Sequence, residues 1–324
     1  MDHPTLPARS ARYPIPGTLN LALGMLACGG AVALLWAASH ASSTWQLVAA
    51  ALAFSFVNNT VFSLLHEAVH GIFHPRRALN DGFGMVAAAL FPTGFLFQRV
   101  CHFGHHRRNR TDHESFEYYT PGRSRFQSWF HLYCLLTGWF WSSAPLGCLI
   151  YLLSGPWFHG PLFKDRIARF YGMEAMVADL ARAPVGRMRA ELCFSIAFQV
   201  ALVLLLDLSL TGWLACYVAF ALNWCALQYT DHAYTVRSRR DGASNLRVNR
   251  LVQWIFLNYH HHLAHHQNPT VPWLHLPRLV DFSVPRPSFL GIYARLWLGP
   301  RPTDEPPPAE SAGGADLPVL LADE

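Results

Sequence analysis

The chain has 324 residues, of which 52% are hydrophobic and only 14% charged, with a formal net charge of +5. Soluble domains carry about 25% charged residues, so this balance argues against a soluble globule and excludes an intrinsically disordered chain. The basic residues are not interleaved with aromatics in the manner of a nucleic-acid groove, and no nucleic-acid partner is expected.

From Tyr13 to His66 there is no Asp, Glu, Lys or Arg, which is room for two membrane helices at ~20 residues each. The pattern predicts them over 18–38 and 45–65. Arg9 and Arg12 precede the first, and Ala38-Ser39-His40-Ala41 would suit cleavage of a leader. The apolar stretch Leu19–Ala38 outruns the ~7–15-residue core of a signal peptide, however, and a second span follows at once. It is read as a membrane helix. A polar, histidine-rich stretch covers 66–125, interrupted by the apolar residues 82–98. The next apolar block is 126–154, where Gly138 and Pro145 are candidate breaks for a re-entrant hairpin. A mixed basic linker fills 155–189, and two closely spaced helices are predicted near 191–207 and 210–230. A segment rich in His and Arg runs over 231–298.

This gives a polar N-terminus at 1–17, one membrane-embedded domain at 18–298 and a tail at 299–324. The tail is rich in Pro, Ala, Gly and acids and is expected to be disordered. The seven cysteines form no CxxC pair and mostly lie in apolar runs, so they read as small buried hydrophobes. The surplus of positive charge is nearly all Arg, clustered beside the apolar runs. The positive-inside rule puts these clusters in the cytoplasm if 126–154 crosses the membrane twice or not at all. The same parity places every histidine cluster on that face. The expectation is an all-α membrane protein with about four to six transmembrane or re-entrant helices and a cytoplasmic, histidine-rich, metal-binding cap.

Histidines number 18, against 20 carboxylates. They recur as His66-Glu67-x-x-His70, His102-x-x-His105-His106 and His262-x-x-His265-His266, with His232 closing Gln228-Tyr229-Thr230-Asp231-His232. On a helix the i, i+3 and i+4 positions share a face, so each box is expected to aim two or three imidazoles the same way. Nine imidazoles (His66, His70, His102, His105, His106, His232, His262, His265, His266) exceed the roughly four ligands of one zinc. They fit two metals with positions left open. Imidazole suits Zn, Cu, Fe and Ni, and a non-haem iron pair activating dioxygen suits a site beside a membrane full of C–H bonds. His3, His40, His131 and His159 lack partners at ligand spacing and are read as structural. His74, His113, His260, His261 and His275 stay open between ligation and hydrogen bonding to ligands. One rival is literal: His66-Glu67-x-x-His70 is HExxH, the zinc metalloprotease signature with Glu67 as general base. That reading explains two histidines and leaves seven.

The ordered set HxxxH, HxxHH, HxxHH resembles the membrane fatty acid desaturase and hydroxylase superfamily, over roughly Phe56 to Val280. The resemblance implies two irons at the cytoplasmic ends of the helices, with dioxygen as cosubstrate. It carries His66, His70, His102, His105, His106, His262, His265 and His266 over as ligands. Members add an Asn-x-x-x-His pair from the last span, matched here by Gln228 and His232, with Gln in place of Asn. Gln228, Glu67 and Asp231 are candidates for water-mediated contact or for hydrogen bonds to ligands, with Asp112 and Glu114 also near. The third box opens on His262, not the Gln of front-end desaturases. No His-Pro-Gly-Gly or CxxC electron-carrier motif occurs in the chain, so a separate donor of ferredoxin, rubredoxin or cytochrome b5 type is expected. The implied substrate is a lipid or acyl thioester, and desaturation is favoured over hydroxylation or ketolation. The stretches Phe83–Phe97 and Trp129–Trp141 are candidate channel walls.

Overall fold

The computed structural model describes residues 12–308. His3 and the tail beyond 308 lie outside the described residues, as does the side chain of His159. The first two predicted spans are helices α1 (Gly17–Ser39) and α2 (Thr44–Val69). The Ser43 side chain caps α2 by accepting from the Gln46 N–H, satisfying one of the orphan donors of a helix start. Two further long apolar helices come later in the chain, Val185–Leu206 and Leu210–Thr230.

The two intermediate blocks are bent pairs. Residues 77–108 form α3 (Arg77–Leu90) and α4 (Phe95–Arg108), which meet at 91°. The break falls at Pro92-Thr93-Gly94. Residues 125–154 form α5 (Arg125–Leu136) and α6 (Trp139–Ser154), which meet at 90°. Gly138 makes this second corner with φ +78°, a left-handed conformation that costs other residues about 1–2 kcal/mol. Pro145, the other candidate break, is accommodated inside α6, as membrane helices allow when neighbours satisfy the freed backbone. The chain thus has four helices long and apolar enough to cross a membrane, or up to six spans if each bent pair counts as one.

The linker 155–189 holds a short 3-10 turn, a π-helical turn and α7 (Glu174–Leu180) before α8 (Val185–Leu206) begins, earlier than the predicted 191. After α9 (Leu210–Thr230), the cap is built from short pieces: α10 (Arg250–Ile255), α11 (His262–Gln267) and α12 (Phe289–Leu296). A two-residue parallel pairing joins β1 (Tyr118–Tyr119) to β2 (Arg301–Pro302). The described part of the predicted tail is docked instead: residues 301–303 follow 117–119 by backbone hydrogen bonds, and Glu305 accepts from Arg237.

Packing centres on α2, which contacts α1, α3 and α9. Phe54, Leu64 and Leu65 of α2 are fully buried. Phe62 meets Phe91 and Trp224 at ring separations of 5.3 Å each. Large apolar residues of α8 such as Val200, Leu204 and Leu205 point outward instead. In lipid such a face carries no penalty, because helix association there depends on packing and polar contacts rather than on hydrophobic exclusion.

Buried polar side chains on the spans bind the cap to the bundle. Asn20 donates to Phe73 O and accepts from the Trp273 indole N–H. Thr60 donates to Ile255 O. Glu67 accepts from the Trp273 backbone N–H at 3.0 Å. A buried ion pair secures the loop after α4: Arg110 Nη2 lies 2.8 Å from Glu117 Oε1, both side chains 0% exposed. Tyr229 of α9 donates its hydroxyl proton to the same carboxylate.

Two stability changes follow. Gly138→Ala places a Cβ 2.8 Å from Leu222 N and 2.9 Å from Ala221 C, on top of the left-handed cost, and should lower the melting temperature of the detergent-solubilised protein. Glu117→Ala should destabilise by about 3–5 kcal/mol, because it strands the buried Arg110 charge. A melting temperature within error of wild type for either variant would contradict its assignment.

Candidate metal centre

Four segments deliver the histidines. His66 lies in the last turn of α2 and His70 caps its C-terminus, one turn apart on one face. His102, His105 and His106 occupy the final two turns of α4. His232 follows α9 directly, and His262, His265 and His266 ride on α11.

The structure brings eight of them into two groups. His66, His70, His102 and His265 form one; His105, His232, His262 and His266 form the other. Within each group the candidate ligand atoms all lie within 4.8 Å of one another. Nitrogens sharing one ion at bonds of ~2.1 Å stand at most ~4 Å apart, so either group could hold a metal with small adjustment. His106 belongs to neither foursome. Its Nε2 lies 3.0 Å from His102 Nε2 and 3.2 Å from His265 Nε2, and its ring is 4.4 Å from that of His266.

The two HxxHH boxes are each shared between the groups. The second box sends His102 to the first group and His105 to the second; the third sends His265 to the first and His262 with His266 to the second. At 3.6 residues per turn, neighbouring residues point about 100° apart. An HH pair therefore diverges, and one short helix serves both groups.

The donor set fits cations. His70 and His102 oppose their Nε2 atoms at 2.8 Å, His105 and His232 at 3.1 Å, and His262 and His266 at 3.2 Å. Burial, assisted mainly by neighbouring imidazoles, pushes His232, His262, His265 and His266 well below the usual imidazole pKa, so these rings are neutral with lone pairs available. His66 Nε2 is buried with no hydrogen-bond partner. Asp231 is fully buried, and neither of its carboxylate oxygens has a hydrogen-bond partner. They stand 3.8 Å from His232 Nε2 and 3.6 Å from His262 Nδ1. An unpaired buried carboxylate is costly, and a divalent cation among these imidazoles would supply its missing counter-charge.

The other named residues divide. Gln228 accepts from the Tyr259 hydroxyl at 2.8 Å. Glu67 is engaged by the Trp273 N–H, which ties down the cap. Asp112 pairs with Arg237 at 2.5 Å, away from both groups. Glu114, by contrast, reaches His105 Nδ1 at 2.6 Å. His260 and His261 lie tilted against each other with ring centres 4.0 Å apart, outside both groups, and burial lowers their pKa to about 3 and about 4. His275 Nε2 donates to Pro14 O, His131 Nε2 to Phe170 O and His40 Nδ1 to Trp36 O. His74 Nδ1 accepts from Arg76 N–H, and His113 faces Glu174 at 3.6 Å.

Tyr259 escaped the sequence reading. Its ring lies 5.1 Å from that of His66 and 4.9 Å from that of His262, so it touches both groups at once. Asp179 is another: it pairs with Arg107 and Arg108 and joins the linker helix α7 to the end of α4. A lone Tyr or Asp without ligand spacing carries no signal in one sequence.

A cavity of about 220 Å³ opens beside the histidines. His102, His105, His232 and His262 line it, together with Phe91, Phe97, Phe140, Trp141 and Trp224. Both candidate channel stretches thus contribute wall residues. Phe83 stacks on Phe73 at 3.9 Å instead, and Trp129 lines a separate outward-facing groove. Such a mainly aromatic chamber with a few polar groups is the usual form of a small-molecule site.

A family model described as fatty acid desaturase matches residues 42–288. Comparison with curated proteins returned no match. The matched stretch contains both histidine groups, the cavity and every long helix except α1. The chain belongs to the fatty acid desaturase family.

Proposed function

We propose that this membrane oxidoreductase holds two non-haem irons, one in each histidine foursome, and uses dioxygen to place a double bond in a fatty acyl chain. The observation that carries the reading is the adjacency of two all-imidazole groups to one apolar cavity. His66, His70, His102 and His265 would hold one iron, and His105, His232, His262 and His266 the other. His106 is the ninth candidate ligand, placed against the first group by its contacts with His102 and His265.

Bound iron supplies the oxidising power needed to take hydrogen from an unactivated methylene. The chain's own residues do the positioning. The walls formed by Phe91, Phe97, Phe140, Trp141 and Trp224 bury an acyl chain and exclude water, which favours a single extended pose. Tyr259 and Gln228, hydrogen-bonded to each other and lining the same cavity, offer a polar edge beside the histidines. Overall, the substrate loses two hydrogens, an external donor gives two electrons, two protons are taken up from solvent, and dioxygen leaves as two waters.

The donor is a separate protein of ferredoxin, rubredoxin or cytochrome b5 type, reached from the cytoplasm, where the arginine-rich loops put the cap by the positive-inside rule. The substrate carrier is a lipid or an acyl thioester. The HExxH reading is disfavoured by Glu67, whose carboxylate is taken up by Trp273 N–H, and by the two further imidazoles that share the group of His66 and His70.

The test is mass spectrometry of total lipids from a bacterial host expressing wild type beside His262→Ala. Wild type should yield acyl species lighter by two hydrogens that the variant lacks. A product gaining one oxygen would replace desaturation with hydroxylation, and turnover by the variant would overturn the ligand assignment.

A further inference from the structure

His105 differs from its partners. In the second foursome its side chain is 27% exposed, whereas those of His232 and His262 are 3% exposed each. Packing fixes the buried rings, and His232 is also held by Nδ1 donation to Gly242 O at 2.9 Å. His105 faces the cavity, and among the described residues its polar contacts are with the facing His232 and with Glu114.

The turns after α4 bring Glu114 back over that helix. Thr111 N–H donates to Arg108 O and Glu114 N–H to Thr111 O, while Asn109 is tied by its side chain to Arg239 O and Gly242 O. The Glu114 carboxylate then divides its two oxygens. Oε2 accepts from His105 Nδ1–H at 2.6 Å, and Oε1 lies 3.2 Å from Arg108 Nε. Arg108 in turn pairs with Asp179 of α7. The carboxylate is therefore held from behind and cannot easily swing away.

We propose that Glu114 is a positioning residue for the metal site of His105, His232, His262 and His266, holding the His105 ring with Nε2 turned inward and strengthening it as a donor. This rests on the two-metal reading above. A carboxylate accepting the Nδ1 proton fixes the imidazole tautomer and raises the basicity of the other nitrogen. Loss of such a partner typically weakens metal affinity 10–100-fold.

A merely structural Glu114 would act through Arg108 and α7, and the variants separate the two roles. Glu114→Ala removes both contacts. Glu114→Gln keeps an acceptor for His105 without the charge. Arg108→Gln removes the rear anchor and leaves the His105 contact. Each full-length protein would be purified in detergent, checked for a single symmetric elution peak, and loaded with iron. Iron per chain is counted, and release to a chelator is timed.

Wild type should hold two irons per chain. Glu114→Ala should lose one of them or release it at least 10-fold faster, and Glu114→Gln and Arg108→Gln should each fall between it and wild type. If Glu114→Ala does not elute as a folded species, release from Glu114→Gln decides. Unchanged release from that variant, or an equal loss of iron from Arg108→Gln, would overturn the positioning role. A wild type that binds fewer than two irons would instead overturn the two-metal reading, and the positioning role with it.

Discussion

Neutral imidazoles that point their lone pairs at one another repel unless something positive lies between them. That constraint organises this protein. Nine ring nitrogens from four segments converge in a buried region where hydrogen bonding cannot satisfy them all: His66 Nε2 has no partner, and neither has Asp231 on either oxygen. The polar contacts that tie the cap to the spans, through Asn20, Thr60 and Glu67, make sense as the means of holding that convergence in place. Without them the short helix α11 would have little reason to stay against the end of α2.

The bundle also explains why the centre can be both rigid and close to lipid. The four long helices supply walls whose outward faces are apolar, and the two right-angled bends turn α4 and α6 toward the interior. The bend at Pro92–Gly94 starts α4, which carries one histidine box, and the bend at Gly138 starts α6, which contributes cavity wall. The cavity therefore lies between a set of imidazoles that could hold metal and a set of aromatic rings. That arrangement suits an oxidation of an otherwise unreactive hydrocarbon chain.

Much of this was legible in the sequence. Runs without charge marked α1, α2 and α9 closely, because a helix in lipid must be apolar on most of its surface. Gly138 was readable as a corner because only glycine turns there without strain, whereas Pro145 misled, since a membrane helix tolerates it. Box spacing picked out the histidines but not their grouping. The boxes on α4 and α11 are each split between the two histidine groups, and only the relative placement of the helices decides which ring goes where. The start of α8 at Val185 was missed because Arg187 and Arg189 read as linker; they occupy its first turns, where Arg187 pairs with Glu191. Asp179 and Tyr259 became visible only through contacts made across the fold.

The central claim is that the two foursomes are two separate metal centres. Anomalous diffraction at the iron absorption edge from crystals of the iron-loaded protein tests it most directly. The account predicts two peaks, one enclosed by His66, His70, His102 and His265 and the other by His105, His232, His262 and His266. A single peak beside His66 and His70, or one peak shared by both groups, would contradict it.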